Sequence, residues 1–247
     1  MKHMIPMVLM FISFSSYSQT LKIAYIDWCP QLCIGEDEEG YIIDTVKLIF
    51  KDSGYKLEFK IYPWSRAINN VRVGSYDALL SPAKKEAPDL TYPENEIGVQ
   101  RMCFFVKENS KWEFKDINSL KGLRVGGIFD SGFDEEFQFI SESGGTFELM
   151  PYNGEYLSKS FLKLENNRID VFMFTLNTTL YEMKKIRKKY REAGCISRDK
   201  IYMAFSPKFD KKSSVIQFFD RQMSELKSAG AIPTIMSKYG LESWNIN

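Results

Sequence analysis

The chain has 247 residues, 15% of them aromatic, and carries 33 basic residues against 32 acidic ones. This near-neutral balance argues against a nucleic-acid partner, and the length allows either one large core or two small lobes. The single histidine is His3, so loss of the first residues would exclude histidine-based catalysis and histidine-ligated metal sites.

Residues 1–18 have the pattern of a secretory signal peptide. Lys2 supplies a positive start, residues 4–14 form an apolar run too short to span a bilayer, and Ser16 and Ser18 stand where a signal peptidase reads small residues. The alternative is a buried helix. We expect cleavage near Gln19 and a protein of the periplasm. No cysteine directly follows the apolar run, so we expect no lipid anchor.

The cysteines are Cys29, Cys33, Cys103 and Cys195. An even number of cysteines in an exported chain favours disulfides, and four cysteines allow three pairings. Zinc is the alternative, but the chain has no C-x-x-C pair. We predict one disulfide between Cys29 and Cys33, which are close in sequence, and a second between the two that remain.

Strands and helices alternate in the first part of the chain. The predicted strands are 21–27, 56–62 and 76–80, and the helices between them are 43–53 and 64–73. Leu57, Phe59 and Ile61 alternate with polar residues, as in a half-buried strand, while Gly54 and Gly74 end the two helices. A β-α-β-α-β order predicts a parallel sheet with helical crossovers.

A second unit repeats this order. Its predicted strands are 123–129, 147–152 and 169–174, and its helices run to about 140, over 156–166 and over 178–192. Extended segments at 100–107 and 200–206 flank the unit, and helices at 213–228 and 231–238 follow. We interpret the flanking segments as two hinge strands that return the tail to the first lobe. The predicted lobes are therefore residues 19–102 with 203–247, and residues 103–202.

Short motifs along the chain resemble the family 3 extracellular solute-binding proteins, the polar amino-acid receptors of ABC importers. They are Gly40-Tyr41-Ile42-Ile43-Asp44, Tyr62-Pro63-Trp64 with Arg66-Ala67, Gly74-Ser75-Tyr76-Asp77-Ala78, Ser119-Leu120-Lys121-Gly122, Asn167-Arg168-Ile169-Asp170, Tyr202-Met203-Ala204-Phe205-Ser206-Pro207 and Lys238-Tyr239-Gly240. The resemblance implies an α/β, two-lobed fold of the type II periplasmic-binding kind. It also implies that the lobes close on a ligand by hinge bending.

Several candidate ligand contacts lie in the first lobe. Asp27 and Trp28 follow the first strand at its carboxyl end, where α/β sheets bind ligands. Trp64 matches the position where amino-acid-binding members carry a cleft aromatic, and Tyr62 lies on the same loop. Arg66, on the first turn of the next helix, is a candidate for holding an anionic group. The alternatives are a turn aspartate, packed core tryptophans and a surface salt bridge.

Ser81 follows the third predicted strand, where the family uses backbone groups and a hydroxyl to hold the ligand. The family places an arginine a few residues on, and it clamps an α-carboxylate through two hydrogen bonds. Pro88 takes that position here, so the clamp is missing. Lys84 and Arg101 are the candidate substitutes, although lysine presents a point charge rather than a fork.

Candidates in the second lobe include Asp130, Ser131 and Gly132, which open a helix whose free N–H groups can bind a polar or anionic group. A plain helix cap is the alternative. Thr175 ends a strand where the amino-acid-binding members usually carry an aspartate for the α-ammonium group. With the clamp and this aspartate both absent, we predict that a standard α-amino acid is not the preferred ligand.

Together these features predict a binding protein that delivers a small polar solute to an ABC permease in the inner membrane. We expect it to be a monomer without a cofactor or a nucleic-acid partner. A sensor lobe that feeds a membrane signalling protein is one alternative. A cyclohexadienyl-dehydratase-like enzyme on the same fold is another, and it would need an acid or base with a shifted pKa in the cleft.

Overall fold

A computed structural model describes residues 19–35, 38–129, 138, 140–151 and 155–244 of the chain. The predicted signal peptide lies outside the described residues, as do Asp130, Ser131 and Gly132. In the part that is described, no helix combines the length and the apolar character that a membrane span requires.

Among these residues, eight strands form one sheet in the order β2-β1-β3-β8-β4-β7-β5-β6. Their bounds are β1 Gln19–Tyr25, β2 Tyr55–Ile61, β3 Ala78–Ala83, β4 Gly98–Lys107, β5 Arg124–Phe129, β6 Thr146–Pro151, β7 Val171–Thr175 and β8 Tyr190–Phe205. Strands β2, β1 and β3 pair in parallel and are called the first group here. Strands β7, β5 and β6 also pair in parallel and are called the second group. Strands β4 and β8, the central strands, run antiparallel to each other and to the neighbours β3 and β7.

Helices connect the parallel strands and cover the sheet. They are α1 Tyr41–Phe50, α2 Trp64–Arg72, α3 Tyr156–Glu165, α4 Leu176–Ile186, α5 Lys212–Ser228 and α6 Ala231–Lys238, with a 3-10 helix at Ile117–Leu120. Gly40 precedes α1 with φ 101°, and a β-carbon there would collide with the backbone carbonyl of Gln31. Only glycine therefore allows the chain to enter α1 so close to the preceding loop.

The helix predicted at 178–192 is wrong in its bounds. It begins at Leu176 and ends at Ile186, where Arg187 adopts φ 54° and the Lys188 N–H donates to the Met183 carbonyl at 3.1 Å. These bonds satisfy carbonyls at the helix end and turn the chain away. The strand predicted at 200–206 is much longer and begins at Tyr190, because pairing with β4 extends the polar segment before it.

The buried apolar side chains form separate clusters on this sheet. One combines residues from Leu21 to Ile97 with residues from Ile201 to Leu241. Another lies between Met102 and Ala193. A third, smaller cluster joins Ala67, Ile68 and Val71 of α2 to β1, β3 and β8, together with Ala87 and Leu90 of the following loop.

Both predicted disulfides are confirmed. The α-carbons of Cys29 and Cys33 are 4.4 Å apart, and those of Cys103 and Cys195 are 3.8 Å apart, within the reach of about 7 Å that a disulfide allows. Cys103 and Cys195 are register partners in β4 and β8, so the second disulfide ties the central strands together.

Candidate functional site

The first group brings three chain segments to one edge of the sheet. Tyr25 is paired with Ile61 and Ala24 with Leu79, so the segments that follow β1, β2 and the start of β3 emerge side by side. The Tyr62 N–H donates to the Tyr25 carbonyl at 3.0 Å and fixes the start of the second segment. The predicted residues Asp27, Tyr62, Trp64 and Ser81 therefore share the carboxyl edge, where α/β sheets bind ligands.

Asp27 is a half-buried carboxylate at this edge. Burial raises the pKa of Asp27, and a hydrogen bond from the Ile34 N–H partly offsets that effect. The pKa of the Tyr25 hydroxyl is raised by burial, then by the charges of Glu39 and Asp27, which indicates a negative potential at the end of β1. No lysine or arginine in the described part of the chain forms an ion pair with Asp27.

The aromatic candidates at this edge are held in different ways. The hydroxyls of Tyr62 and Tyr76 lie 2.9 Å apart, and this bond, with burial and nearby charge, raises the pKa of Tyr76 to about 12. Trp64 opens α2, is half-buried, and packs against the small apolar cluster of that helix. Arg66 is exposed on the same helix.

Ser81 has two unusual features. It lies inside β3 rather than after it, at an irregularity in the pairing of β3 with β8, and its backbone adopts φ 72°. Its hydroxyl is fully buried and has no hydrogen-bond partner among the described residues. A strained backbone and an unsatisfied buried hydroxyl each cost on the order of 1–3 kcal/mol, and such strain concentrates at functional sites.

The two candidate substitutes for the missing clamp are engaged elsewhere. The Lys84 ammonium group lies 4.8 Å from the ring centre of Tyr202 and 5.8 Å from that of Tyr92. The Arg101 guanidinium donates to the Cys195 sulfur at 3.4 Å and lines a groove beside Trp244. Of the other predicted ligand contacts that the structure describes, none lines that groove. Lys84 and Arg101 thus contact different partners.

Trp28 and Thr175 come from different groups and are bonded directly. The Trp28 indole N–H donates to the Thr175 hydroxyl at 3.2 Å, and the Thr175 hydroxyl donates to that of Thr178 at 3.0 Å. The side-chain amide of Gln31 donates to the Thr178 hydroxyl at 3.1 Å. Sequence reasoning missed Gln31 and Thr178. The sequence offered one indication of their role, which is the position of Gln31 between Cys29 and Cys33.

Comparison with known proteins identifies the fold and the family. The family model for "Bacterial extracellular solute-binding proteins, family 3" matches residues 21–242. The probable amino-acid ABC transporter extracellular-binding protein ytmK from Bacillus subtilis is similar in structure, with a TM-score of 0.72 and 17% identity over 90% of this chain and 97% of that one. The comparison with curated proteins finds no significant match.

Two further solved structures have similar folds. A histidine kinase sensor domain with similarity to periplasmic binding proteins gives a TM-score of 0.70 and 19% identity over 90% of this chain and 96% of that one. The ancestral amino acid-binding protein AncCDT-1, a precursor of cyclohexadienyl dehydratase, gives 0.70 and 15% identity over 89% and 94%. The fold is thus the predicted α/β, two-lobed type II periplasmic-binding fold, and the chain belongs to the family 3 bacterial extracellular solute-binding proteins.

Proposed function

We propose that the protein binds a small polar solute in the periplasm and delivers it to an ABC importer. Family membership supports the solute-binding role. The observation that carries the proposal is the carboxyl edge of the first group. It holds a carboxylate without an ion-pair partner among the described residues, at Asp27, and a strained serine with an unsatisfied hydroxyl, at Ser81. Tyr62 and Trp64 follow β2 at the same edge of the sheet.

The movement that we propose is closure about the central strands. We assign residues 19–102 and 203–247 to one lobe and residues 103–202 to the other. The separate apolar clusters support this division, because each has its own packed interior. Strands β4 and β8 run between the lobes, so a small bend in both of them would open and close the cleft.

We further propose that the solute is not a standard α-amino acid. A carboxylate clamp is absent at Pro88, and Lys84 and Arg101 face other partners. The Thr175 hydroxyl is already bonded to Trp28 and Thr178. An unpaired carboxylate beside aromatic rings suits a positively charged amine, which gains from both.

A sensor lobe is the second candidate function. The likeness to a histidine kinase sensor domain favours it, although a fold shared at 19% identity does not separate an importer from a sensor. An enzyme is the weaker alternative. The neighbour named as a dehydratase precursor is itself described as an amino acid-binding protein, and this family consists mostly of binding proteins.

A thermal-shift panel of amines, organic acids, peptides and α-amino acids tests the proposal, with calorimetry on each hit. A solute at a hundred times its dissociation constant stabilises the fold by about 2.7 kcal/mol. We expect amines to stabilise the protein, and Asp27→Asn and Trp64→Ala to weaken their binding. Arg72→Ala is a control, because Arg72 is an exposed cation at the far end of α2. Micromolar binding of a free α-amino acid would contradict the proposed solute class.

A further inference from the structure

The bonds between Trp28, Gln31, Thr175 and Thr178 cross from one parallel group to the other. We call these four side chains the closure contact. Trp28 and Gln31 follow β1, whereas Thr175 and Thr178 stand at the end of β7 and the start of α4. All four are buried, with exposed fractions of 1–6%. Water does not reach hydrogen bonds at this level of burial. Breaking them is therefore costly, because it leaves buried polar groups unsatisfied.

The hydroxyl of Thr175 both accepts and donates a hydrogen bond within the protein. It accepts the indole proton of Trp28 and gives its own proton to Thr178. Thr178 accepts a second proton from Gln31. A solute that required the hydroxyl proton of Thr175 would therefore have to break the bond that Thr175 already makes to Thr178.

The segment that carries Trp28 and Gln31 is held firmly to the first group. The Cys29–Cys33 disulfide closes it, and Trp28 and Leu32 exchange backbone hydrogen bonds of 2.6 and 2.9 Å. The Ile42 N–H, in the first turn of α1, donates to the Gln31 carbonyl at 3.0 Å. The loop is anchored to the first group at both of its ends. Its bonds to Thr175 and Thr178 therefore restrain the first group relative to the second.

A second bond from α4 to the first group lies farther along the same helix. The Tyr181 hydroxyl donates to the Glu38 carboxylate at 2.6 Å, and with burial this negative partner raises the pKa of Tyr181 to about 12. Tyr181 lies close to one helical turn beyond Thr178. One side of α4 is thus bonded to the first group at successive turns.

We propose that the closure contact holds the two groups together in the absence of solute, with Trp28 and Gln31 as positioning residues for the cleft. The inference rests on the proposed function only for its effect on binding. If the closed form is the one that binds, a contact that favours this form without solute raises the apparent affinity. It also removes the end of β7 from the surface that a solute can use, so solute selection falls to the carboxyl edge of the first group.

The test uses protein freed of copurifying solute by unfolding and refolding with its disulfides intact. The Trp28 indole N–H resonance, assigned by its loss in Trp28→Phe, is followed by NMR hydrogen exchange, and X-ray scattering reports the radius of gyration. We expect a slowly exchanging indole proton in the wild type. Thr175→Val should speed its exchange by about tenfold and enlarge the radius.

Thr178→Val keeps the acceptor of the indole and removes the acceptor that Thr175 and Gln31 share. If the four side chains act as one contact, this variant also speeds indole exchange and enlarges the radius. Thr179→Val is the matched control, because in the described part of the chain the Thr179 hydroxyl bonds to the Thr175 carbonyl, one turn earlier, and not to the first group. It should leave both readouts unchanged.

Rapid indole exchange in the wild type would overturn the inference, as would a Thr175→Val protein with the same radius as Thr179→Val. None of these measurements involves a solute, so failure here leaves the proposed function standing. Conversely, if no compound in the thermal-shift panel binds, the exchange and scattering measurements still determine whether the closure contact forms.

Discussion

Asp77 and Asp170 occupy equivalent places in the two parallel groups, directly before β3 and directly before β7. Asp77 exchanges backbone and side-chain hydrogen bonds with the backbone of Lys22, at 2.9 and 2.8 Å. Asp170 makes the same pair of bonds with Arg124, also at 2.9 and 2.8 Å. In the second group the Arg124 guanidinium adds two bonds, of 2.6 and 3.0 Å, and these bonds lower the pKa of Asp170.

The opposite ends of the same two strands are different. Strand β3 contains a strained serine with an unsatisfied hydroxyl near its carboxyl end, whereas β7 ends in Thr175, which is bonded to the other group. The ends of β3 and β7 that begin with these aspartates, the shared ends, are fixed by the same pair of hydrogen bonds in both groups. The unlike ends carry what we propose to be the binding and closing functions. Changes at the shared ends should therefore affect stability, and changes at the carboxyl edge should affect binding or closure.

The two disulfides give the largest contrast. Cys103→Ser with Cys195→Ser removes a link between residues 92 positions apart, and we expect the free energy of unfolding to fall by about 4–5 kcal/mol. Cys29→Ser with Cys33→Ser opens a loop that spans 4 positions and should cost about 2 kcal/mol. Chemical denaturation measures both values. Equal losses would show that the edge loop contributes as much to stability as the central strands do.

Removing the two aspartates tests whether the shared ends are equivalent. Asp77→Ala and Asp170→Ala should each cost about 1–2 kcal/mol, with Asp170 the costlier by about 0.5 kcal/mol because it also loses a partly exposed ion pair. Since the folded-state pKa of Asp170 is lowered, its contribution is present above the unfolded-state pKa and is lost as the pH falls through the folded-state pKa. Unfolding experiments over acidic pH should show this loss in the wild type and not in Asp170→Ala.

Ser81→Gly should stabilise the protein by about 1 kcal/mol, because glycine adopts the positive φ without strain and leaves no buried hydroxyl unsatisfied. The same change should weaken solute binding. Arg187→Gly is the matched control, since Arg187 also has positive φ but caps α4 away from the carboxyl edge. It should raise the melting temperature without affecting binding. Unchanged affinity in Ser81→Gly would remove Ser81 from the proposed site.

The smallest expected effect is the pH dependence that Asp27 contributes. Because burial raises its folded-state pKa, the folded protein binds this proton more tightly than the unfolded chain does. Stability should therefore fall as the pH rises from the unfolded-state pKa through the folded-state pKa, by less than about 1 kcal/mol for a half-exposed group. Asp27→Asn should abolish this slope. A bound amine should restore the lost stability and release a proton in the same range.

Local pattern was sufficient to predict most of the fold. Alternating apolar residues in β2 and the glycines after the first helices marked elements that the structure contains, with bounds that differ by a few residues. The first part of β8 was missed, because residues 190–199 are mostly polar and become a strand only by pairing with β4. The early end of α4 depends on a left-handed Arg187, a conformation that its sequence does not suggest.

The sequence indicated individual candidate residues for the site, but it did not indicate which of them lie in contact. Trp28 and Thr175 were both expected to face a solute, and the structure instead bonds them to each other across 147 positions of sequence. Such a contact depends on how the central strands set the two groups, and no local pattern encodes it. Gln31 and Thr178 are common polar residues, and only their neighbours in space give them a role.

The strand order also determines when each part of the sheet can be completed during synthesis. β3 pairs with β8 at residues 201–205, so the first group keeps an open edge until the chain is nearly finished. At the usual rate of synthesis, the segment between Ala83 and Phe205 takes roughly 10 s to make. The second group is contained in that segment and can assemble first. Until β8 arrives, the earliest strands present an unpaired, apolar edge, and we expect a nascent chain at this stage to depend on a holding chaperone.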